Sequence, residues 1–192
     1  GEGDITVVEV CETILKEEYQ YDKIDGLYYL GGGNNGEREV KNTLWRQFIP
    51  DIDSVPIPDY SDIDFSLYQQ PEIPIVLSRG CNYSCIYCGV KLYWKKASDF
   101  RKRSPESLME EVKYLDDSGY IEHGEFNFLS FKGAYVNTDV VKKAELESGK
   151  SILEEFCDQI VDYYKDASHG VPFQWGGWAR VDKNLTPEVC KK

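Results

Sequence analysis

Three cysteines clustered near the middle of the chain limit what it can fold into more than any other feature. Cys81, Cys85 and Cys88 lie within residues 78–88 with the spacing CxxxCxxC. Three thiolates on one tight loop can hold three irons of a four-iron cluster and leave the fourth iron open to a substrate. The loop therefore predicts an iron–sulfur site that takes part in chemistry, and not one that only relays electrons.

A structural zinc site is the alternative for these thiols. Zinc takes four ligands, usually Cys or His, in a closed site. The two histidines, His123 and His169, are distant in sequence, and no second CxxC follows. The other cysteines are scattered at Cys11, Cys157 and Cys190, which does not resemble the disulfide framework of a secreted protein. The clustered thiols thus predict metal ligands in a reducing, cytoplasmic compartment.

Composition and charge exclude several classes of protein. The 192 residues suit one domain or one domain plus part of another. The net charge of −12 argues against electrostatic binding of nucleic acid or of an anionic membrane. No apolar run approaches the roughly 20 residues that span a bilayer, and the acidic start of the chain is not a signal peptide. Because the chain lacks an initiator Met and stops inside a predicted helix, we expect it to be a piece of a longer protein.

Residues 1–48 are predicted to form a helix and a β-hairpin. Thr6 and Glu9 have the spacing of a capping box, and the helix is predicted over residues 6–19. Its apolar face would consist of Val7, Val8, Cys11, Ile14 and Leu15. A glycine-rich turn at 31–36 separates predicted strands at 26–30 and 37–40. The turn is not a phosphate loop, because no Gly-Lys-Ser/Thr follows it.

Residues 49–72 are predicted to be a proline-rich linker. Proline denies donors to a β-ladder and interrupts helices, so a segment with Pro50, Pro56, Pro58 and Pro71 is predicted to be extended. This segment would separate residues 1–48 from a second domain at 73–192.

From residue 73 onward, strands and helices alternate. Strands are predicted at 73–77, 125–129 and 173–181. Helices are predicted to begin after Ser104, with Pro105 at the first helical position, after Ser151, which forms a capping box with Glu154, and after Thr186. The predicted buried residues are Leu108, Met109, Val112 and Leu115 in the first helix and Ile152, Leu153, Phe156, Ile160 and Val161 in the second. Gly119 is predicted to end the first helix, and the second would run to about residue 166.

This alternation predicts an α/β fold with a parallel sheet and right-handed crossovers. Ligands of such sheets gather at the carboxyl ends of the strands. The cysteine loop follows the first predicted strand, and Gly80 gives the backbone room to turn before the first ligand. We therefore expect the metal site at the mouth of the sheet.

The motif, with Tyr87 before the last cysteine, resembles the radical S-adenosylmethionine (SAM) enzymes. Five further segments resemble the cobalamin-binding subgroup of that family: GEGD at 1–4, DSVPIP at 53–58, SRGC at 78–81, RKRSPE at 101–106 and ARVD at 179–182. The resemblance covers nearly the whole chain. It implies that residues 1–48 are the C-terminal tail of a cobalamin-binding domain plus a hairpin. Residues 73–192 would be the N-terminal half of a partial (β/α)6 barrel.

The resemblance also implies a reaction. Cys81, Cys85 and Cys88 would hold a [4Fe-4S] cluster, and SAM would chelate the open iron. Reductive cleavage of SAM would give methionine and a 5′-deoxyadenosyl radical that removes a hydrogen atom from an unactivated C–H bond. In the cobalamin subgroup, a methyl group is often then delivered from methylcobalamin to the substrate. The implied partners are a small-molecule or peptide substrate and an electron donor such as flavodoxin or ferredoxin.

Several residues are candidates for contacting SAM. Tyr87 would pack against the adenine, or else pack within the loop. Arg180 would reach the SAM carboxylate or a substrate, or else form an ion pair. Ser130 follows the second predicted strand, where relatives often place an acid that contacts the SAM amino group. Because Ser130 brings no charge, either Glu125 or another group holds the amine, or SAM binding is weak. Arg79 is expected to hold the loop.

Glu2 and Gly3 would lie near the nucleotide tail of cobalamin, or else only lead into the first helix. The Asp-x-His-x-x-Gly motif, which supplies a lower cobalt ligand in some cobalamin domains, is absent from the sequence, but many radical SAM relatives lack it too. Cys11 and Cys157 are expected to be buried by packing, and Cys190 has no expected ligand role.

Two alternatives to a cobalamin-dependent methyltransferase stay open. One is a radical SAM oxidoreductase or cyclase without cobalamin, and the other is a non-catalytic metal-binding module. Residues 131–150 form a long connection that is either an active-site loop or a surface excursion. Because about three strands cannot close a barrel, the chain alone is expected to be inactive and bound to another copy or to further segments.

Overall fold

The computed structural model describes residues 2–33, 36–68, 72–81, 83, 85–89, 100–120, 128–136, 146–165, 174–179 and 186–190. For residues 72, 128–136, 174–179, 189 and 190 it describes the backbone alone. The chain divides into two compact units, Gly1–Pro50 and Asp51–Lys192. Among the helices described, none has the length and apolar composition needed to cross a membrane.

The first unit contains helix α1 (Asp4–Leu15) and a hairpin of β1 (Tyr28–Gly32) and β2 (Arg38–Asn42). The two strands are antiparallel, with Leu30 opposite Val40. The predicted hairpin is confirmed, although the first two glycines of the predicted turn belong to β1.

The predicted capping box of α1 is wrong. The helix begins at Asp4, with Gly3 at the N-cap and no side-chain cap. Thr6 is therefore already inside the first turn, and its buried hydroxyl donates to the carbonyl of Asp25 at 3.0 Å. The helix also ends before residue 19, because Glu17 and Tyr19 adopt φ values of 57° and 46° that an α-helix does not allow.

The apolar face predicted for α1 is exposed. Val7, Val8, Ile14 and Leu15 are 57%, 54%, 47% and 83% exposed, and Cys11 is exposed as well, against the expectation that packing buries it. The less exposed residues are Thr6, Glu9, Val10 and Thr13, which share a helical face by their i, i+3, i+4, i+7 spacing. Hydrogen bonds of Thr6 with Asp25 and of Glu9 with Arg46 orient this face inward.

The second unit contains a parallel sheet of three strands in the order β3 (Glu72–Pro74), β6 (Phe128–Val136) and β7 (Gln174–Ala179). Glu72, Ile73 and Pro74 pair with Phe128, Leu129 and Ser130, and Phe128 pairs with Gln174. The predicted parallel α/β arrangement is confirmed. Strand β3 is shorter than predicted because Pro74 has no N–H to donate to the ladder, and β6 continues past the predicted end at residue 129.

Helices α2 (Pro105–Asp117) and α3 (Ile152–Tyr164) pack against each other. The side chain of Ser104 caps α2, and Gly119 (φ 72°) follows its last turn, as predicted. The predicted capping box of α3 is present: Ser151 Oγ accepts the N–H of Glu154 at 3.1 Å, and the Glu154 carboxylate accepts the N–H of Ser151 at 3.0 Å. A short helix, α4 (Pro187–Cys190), begins after Thr186.

The core of the second unit lies between the sheet and these two helices. Its members are the expected stripe of α2, the inward residues of α3 and the strand-side residues Ile73, Ile75 and Leu77. Cys157 is buried as predicted, but Val161 is 58% exposed. Ile160 and Tyr164 continue the buried stripe, and Val161 falls about 100° away from Ile160 around the helix.

A bond between the two helices closes one end of this core. The hydroxyl of Tyr164 donates to Asp116 Oδ2 at 2.9 Å and so links α3 to α2. Burial, together with this hydrogen bond, raises the pKa of Tyr164. Because the Tyr164 hydroxyl stays protonated near neutral pH, it continues to donate its hydrogen bond to Asp116.

The proline-rich segment belongs almost entirely to the second unit, and part of it is packed there. Ile52 is 3% exposed and Tyr60 is 9% exposed. The ring of Tyr60 lies 6.1 Å from the rings of both Phe65 and Tyr120, measured between centroids. The Asp53 carboxylate accepts the N–H of Ser104 at 3.0 and 3.1 Å, which holds the segment at the start of α2.

We expect Glu111→Gln to lower the free energy of unfolding by about 3–5 kcal/mol, because it removes the nearest countercharge of a buried guanidinium and leaves only the Asp53 carboxylate, 4.0 Å away. The side chains of Arg103 and Glu111 form an ion pair and are only 11% and 3% exposed. Urea denaturation followed by circular dichroism measures the change. Asp158→Asn is the matched control, since it breaks a more exposed ion pair with Lys150 and is expected to have little effect. Equal losses in the two variants would contradict the importance of the buried pair.

Candidate metal centre at the cysteine loop

The cysteine loop (residues 80–89) begins at a closed base. Strand β4 (Ser78–Arg79) pairs antiparallel with β5 (Arg101–Lys102), so that Ser78 faces Lys102 and Arg79 faces Arg101. The N–H of Arg103 also donates to the carbonyl of Leu77 at 2.9 Å. The chain that enters the loop and the chain that returns from it are therefore held side by side.

Two local features shape the loop. Gly80 adopts φ +88°, a conformation that side chains rarely permit, and it turns the chain directly before Cys81. This confirms the predicted role of Gly80. Farther along, the N–H of Cys88 donates to the carbonyl of Cys85 at 3.1 Å, which places these two cysteines on the two sides of one tight turn.

The three clustered cysteines fit an iron–sulfur cluster by the chemistry of their donors. Cys81, Cys85 and Cys88 are half-buried and none of them is in a disulfide. Cysteine sulfurs outside disulfides are the usual protein ligands of iron–sulfur clusters. Within the described part of the chain, however, no three His, Cys, Asp or Glu side chains are gathered closely enough to hold a metal ion. The ligand set stays a prediction, and metal binding requires the loop to bring the sulfurs together.

Arg103 anchors the base of the loop from the far side. Its Nε and Nη2 donate to Ser107 Oγ at 3.1 and 2.9 Å, and Nη2 also donates to the Ser107 carbonyl at 2.9 Å. Its Nη1 donates to Glu111, and Nε lies 4.0 Å from Asp53 Oδ1. One guanidinium thus connects the base of the loop to α2 and to the proline-rich segment.

No role of Arg103 or Glu111 was expected from the sequence, although a signal was present. Glu111 shares the i, i+3, i+4, i+7 stripe of Leu108, Val112 and Leu115, which is the buried face of α2. A carboxylate on an apolar face implies a buried partner. The sequence does not identify that partner, because Arg103 lies before the helix.

A small cavity of about 80 Å³ lies beside this anchor and is lined in part by Pro56, Pro74, Arg79, Arg103 and Glu111. It is large enough for a few water molecules but not for SAM. Arg79 is half-buried, and its backbone pairs with Arg101. Its position at the base of the loop is compatible with the expected holding role, which stays a prediction.

Ser78 is the residue of this region whose polar group is least satisfied. It is 1% exposed, and its Oγ has no hydrogen-bond partner in the described structure. The sequence indicates no role for Ser78 beyond the SRGC resemblance, since the burial of a single hydroxyl depends on tertiary packing.

The structure places the candidate SAM residues as follows. Tyr87 lies in the turn between Cys85 and Cys88 and is 89% exposed, so its ring is not packed within the loop. Ser130 is inside β6 and does not follow the end of a strand, and its backbone lies between Pro74 and Gly176. Arg180 and Glu125 lie outside the described residues. Their roles toward SAM stay predictions.

The candidate cobalamin residues lie together in the first unit. The Glu2 carboxylate accepts the N–H of Ile49 at 3.0 Å, and Gly3 is the N-cap of α1. Both line a cavity of about 360 Å³, together with Thr43 and Trp45. A Cβ at Gly3 would meet nothing within 4 Å. The side chain of Cys190 is outside the described part of the chain.

Comparison with known proteins finds enzymes that are similar in sequence to this chain. The chain matches no protein-family model. It is 30% identical over 129 residues to an uncharacterized methyltransferase of Pyrococcus horikoshii, an alignment that covers 66% of this chain and 26% of that protein. It is 26% identical over 165 residues to an anaerobic magnesium-protoporphyrin IX monomethyl ester cyclase of Synechocystis sp., which covers 84% of this chain and 28% of that protein.

Among solved structures, the chain is similar to the cobalamin-dependent S-adenosylmethionine radical enzyme OxsB. The structure of OxsB with aqua-cobalamin bound aligns with a TM-score of 0.60 at 20% identity, over 98% of this chain and 24% of that protein. The structure with aqua-cobalamin and S-adenosylmethionine aligns with a TM-score of 0.56 at 21% identity, over 83% of this chain and 20% of that one. The likeness shows a shared α/β fold.

The chain spans about a quarter of the length of the curated relatives that it matches. In sequence the chain is similar to a methyltransferase and to a cyclase, and in fold it is similar to a cobalamin-dependent radical SAM enzyme.

Proposed function

We propose that the chain is part of a radical SAM enzyme in which Cys81, Cys85 and Cys88 hold a [4Fe-4S] cluster. When bound, the reduced cluster would supply the electron that cleaves SAM into methionine and a 5′-deoxyadenosyl radical. The observation that carries the proposal is the set of three half-buried thiols, none of them in a disulfide, on one loop with a closed base. The 5′-deoxyadenosyl radical would remove a hydrogen atom from the substrate, which would be a small molecule or a peptide.

The residues of the chain would bind and orient these groups. The three thiolates would bind iron, and the base of the loop would limit how far they can move. The exposed ring of Tyr87 offers a flat apolar surface to an adenine. The thiols also follow β3 along the chain, on the side of the carboxyl ends of the parallel strands, where such folds bind their ligands.

We also propose that the three parallel strands are the first half of a partial (β/α)6 barrel. The order β3–β6–β7, with α2 and α3 in the connections, matches successive β/α units. The similarity to OxsB over 98% of the chain supports this proposal. An electron donor such as flavodoxin or ferredoxin would deliver the electron to the cluster in the cytoplasm.

Alanine at any one of the three clustered cysteines is expected to abolish the visible absorption of the cluster and the formation of 5′-deoxyadenosine, because the cluster would lose one of its protein ligands. Iron and sulfide analysis after anaerobic purification, together with a 5′-deoxyadenosine assay, measures both effects. Cys11→Ala is the matched control, since Cys11 is an exposed thiol in the first unit, and it should retain iron and sulfide. Turnover by Cys85→Ala, or bound zinc without sulfide in the wild type, would contradict the proposal.

Methyl transfer that depends on cobalamin is the finer proposal for the reaction. The Pyrococcus relative is described as a methyltransferase, and OxsB is described as cobalamin-dependent. The cavity of about 360 Å³ at Glu2 and Gly3 supports it, because an open N-cap glycine lets a ligand approach the backbone. The cyclase relative, whose alignment covers 84% of this chain, favours a second candidate: a cyclase reaction.

Phe in place of Gly3 is expected to weaken cobalamin binding at least about tenfold, or about 1.4 kcal/mol, because the ring would fill the cavity. The fold should tolerate the change, since a Cβ at Gly3 has open space and its φ of −97° suits any residue. Titration of the protein with aqua-cobalamin, followed by visible absorption, measures the affinity. Gly32→Phe is the matched control: Gly32 also has open space around a Cβ, but it lies in the hairpin and does not line the cavity.

Unchanged affinity in Gly3→Phe would place the binding of cobalamin elsewhere. No binding by the wild type would favour the alternative expected from the sequence, an oxidoreductase or cyclase reaction without cobalamin.

A further inference from the structure

Ser78 has a buried hydroxyl that its protein surroundings do not satisfy. It is 1% exposed, and its Oγ makes no hydrogen bond within the described structure. Buried hydroxyls almost always have a partner, because an unmet one loses its hydrogen bonds to water without replacement. Glu155 Oε2 shares this condition, but Lys150 lies 3.9 Å from it as an ionic partner. The hydroxyl of Ser78 thus lacks a hydrogen-bond partner, and a bound group could provide one.

Another buried serine shows what the ordinary arrangement looks like. Ser151 is 0% exposed, and its Oγ both accepts the N–H of Glu154 at 3.1 Å and donates to Glu154 Oε2 at 2.9 Å. The two serines are equally enclosed and differ in whether the protein itself supplies the partner.

The backbone around Ser78 is fixed, so the hydroxyl is not free to find a partner through a shift of the chain. Ser78 pairs with Lys102 across β4 and β5. The preceding residue, Leu77, accepts the N–H of Arg103, whose side chain is held by Ser107 and Glu111. A polar group at this position therefore implies a partner that comes to it.

The position of Ser78 indicates what that partner is. Ser78 precedes Cys81 by three residues, a separation of at most about 10 Å along an extended chain. Gly80, with its φ of +88°, turns the chain between them and shortens this distance. Strand β4 also contacts the central strand β6. A group held by Cys81 and its neighbours would consequently lie close to the hydroxyl of Ser78.

We infer that the Ser78 hydroxyl donates a hydrogen bond to a sulfur of the cluster that the cysteine loop would hold, either the Cys81 thiolate or a sulfide. The inference rests on the proposed function. A hydroxyl can donate to sulfur, and the bond strengthens as the sulfur gains negative charge on reduction. Hydrogen bonds to the sulfurs are among the factors that set the reduction potential of such clusters. Ser78 would thereby make the cluster easier to reduce.

The test compares Ser78→Ala with Ser151→Ala in the metal-free and the cluster-loaded protein. Without metal, Ser78→Ala should leave Tm unchanged or raise it, because it removes an unsatisfied group, whereas Ser151→Ala should lower Tm by removing a cap. With the cluster, an EPR-monitored redox titration should show a more negative midpoint potential for Ser78→Ala and no shift for Ser151→Ala. Ser78→Thr, which keeps the hydroxyl, should keep the wild-type potential.

Each contrary result has a distinct meaning. A wild-type potential in cluster-loaded Ser78→Ala overturns the inference and leaves the proposed function intact. A loss of Tm in metal-free Ser78→Ala as large as that in Ser151→Ala shows that the hydroxyl already has a protein partner, and this also overturns the inference. Failure of the wild type to take up iron and sulfide overturns the proposed function, and the inference with it.

Discussion

The guanidinium of Arg103 is the interaction on which the arrangement of the second unit depends. It brings together the end of β5, the buried Glu111 of α2 and Asp53 of the proline-rich segment. The backbone N–H of Arg103 donates to the carbonyl of Leu77, the residue directly before β4. A charge this enclosed is stable only when it is paired and hydrogen-bonded. Pairing this charge therefore holds three segments together: the end of β5, helix α2 and the proline-rich segment. The base of the cysteine loop is positioned relative to α2 by the same residue.

The features that the sequence predicted well are those set by near neighbours in the chain. Ser104 with Pro105, and Ser151 with Glu154, define helix starts through bonds that span a few residues, and both helices begin where these signals place them. The hairpin follows from its turn chemistry in the same way. The inward face of α1 was not predictable from apolar spacing, because long-range hydrogen bonds of Thr6 and Glu9 orient the helix. The ends of β3 and β6 likewise depend on which strands pair across the sheet.

The candidate site also combines features set by near neighbours in the chain with features set by tertiary contacts. The three clustered cysteines and the turn at Gly80 are visible in the sequence because ligand spacing and glycine placement are local. The anchor at Glu111 and the buried hydroxyl of Ser78 arise from contacts with residues that the sequence leaves unspecified. Burial also separates residues that the motif alone treats alike: Ser78 and Tyr87 flank the same ligands, yet one is 1% and the other 89% exposed. Their surroundings suit one to a buried contact and the other to a ligand that arrives from solvent.

The two-residue ladder between β4 and β5 has a consequence for the order of assembly. Because protein contacts alone join the two ends of the loop, the scaffold does not need a bound group as a nucleus around which to fold. Most of the entropy of closing the loop is already lost when the polypeptide folds, so later insertion of iron and sulfide only has to bring the three sulfurs together. Delivery by a maturation system after synthesis, and replacement after oxidative damage, then become local events that leave the surrounding sheet and helices in place.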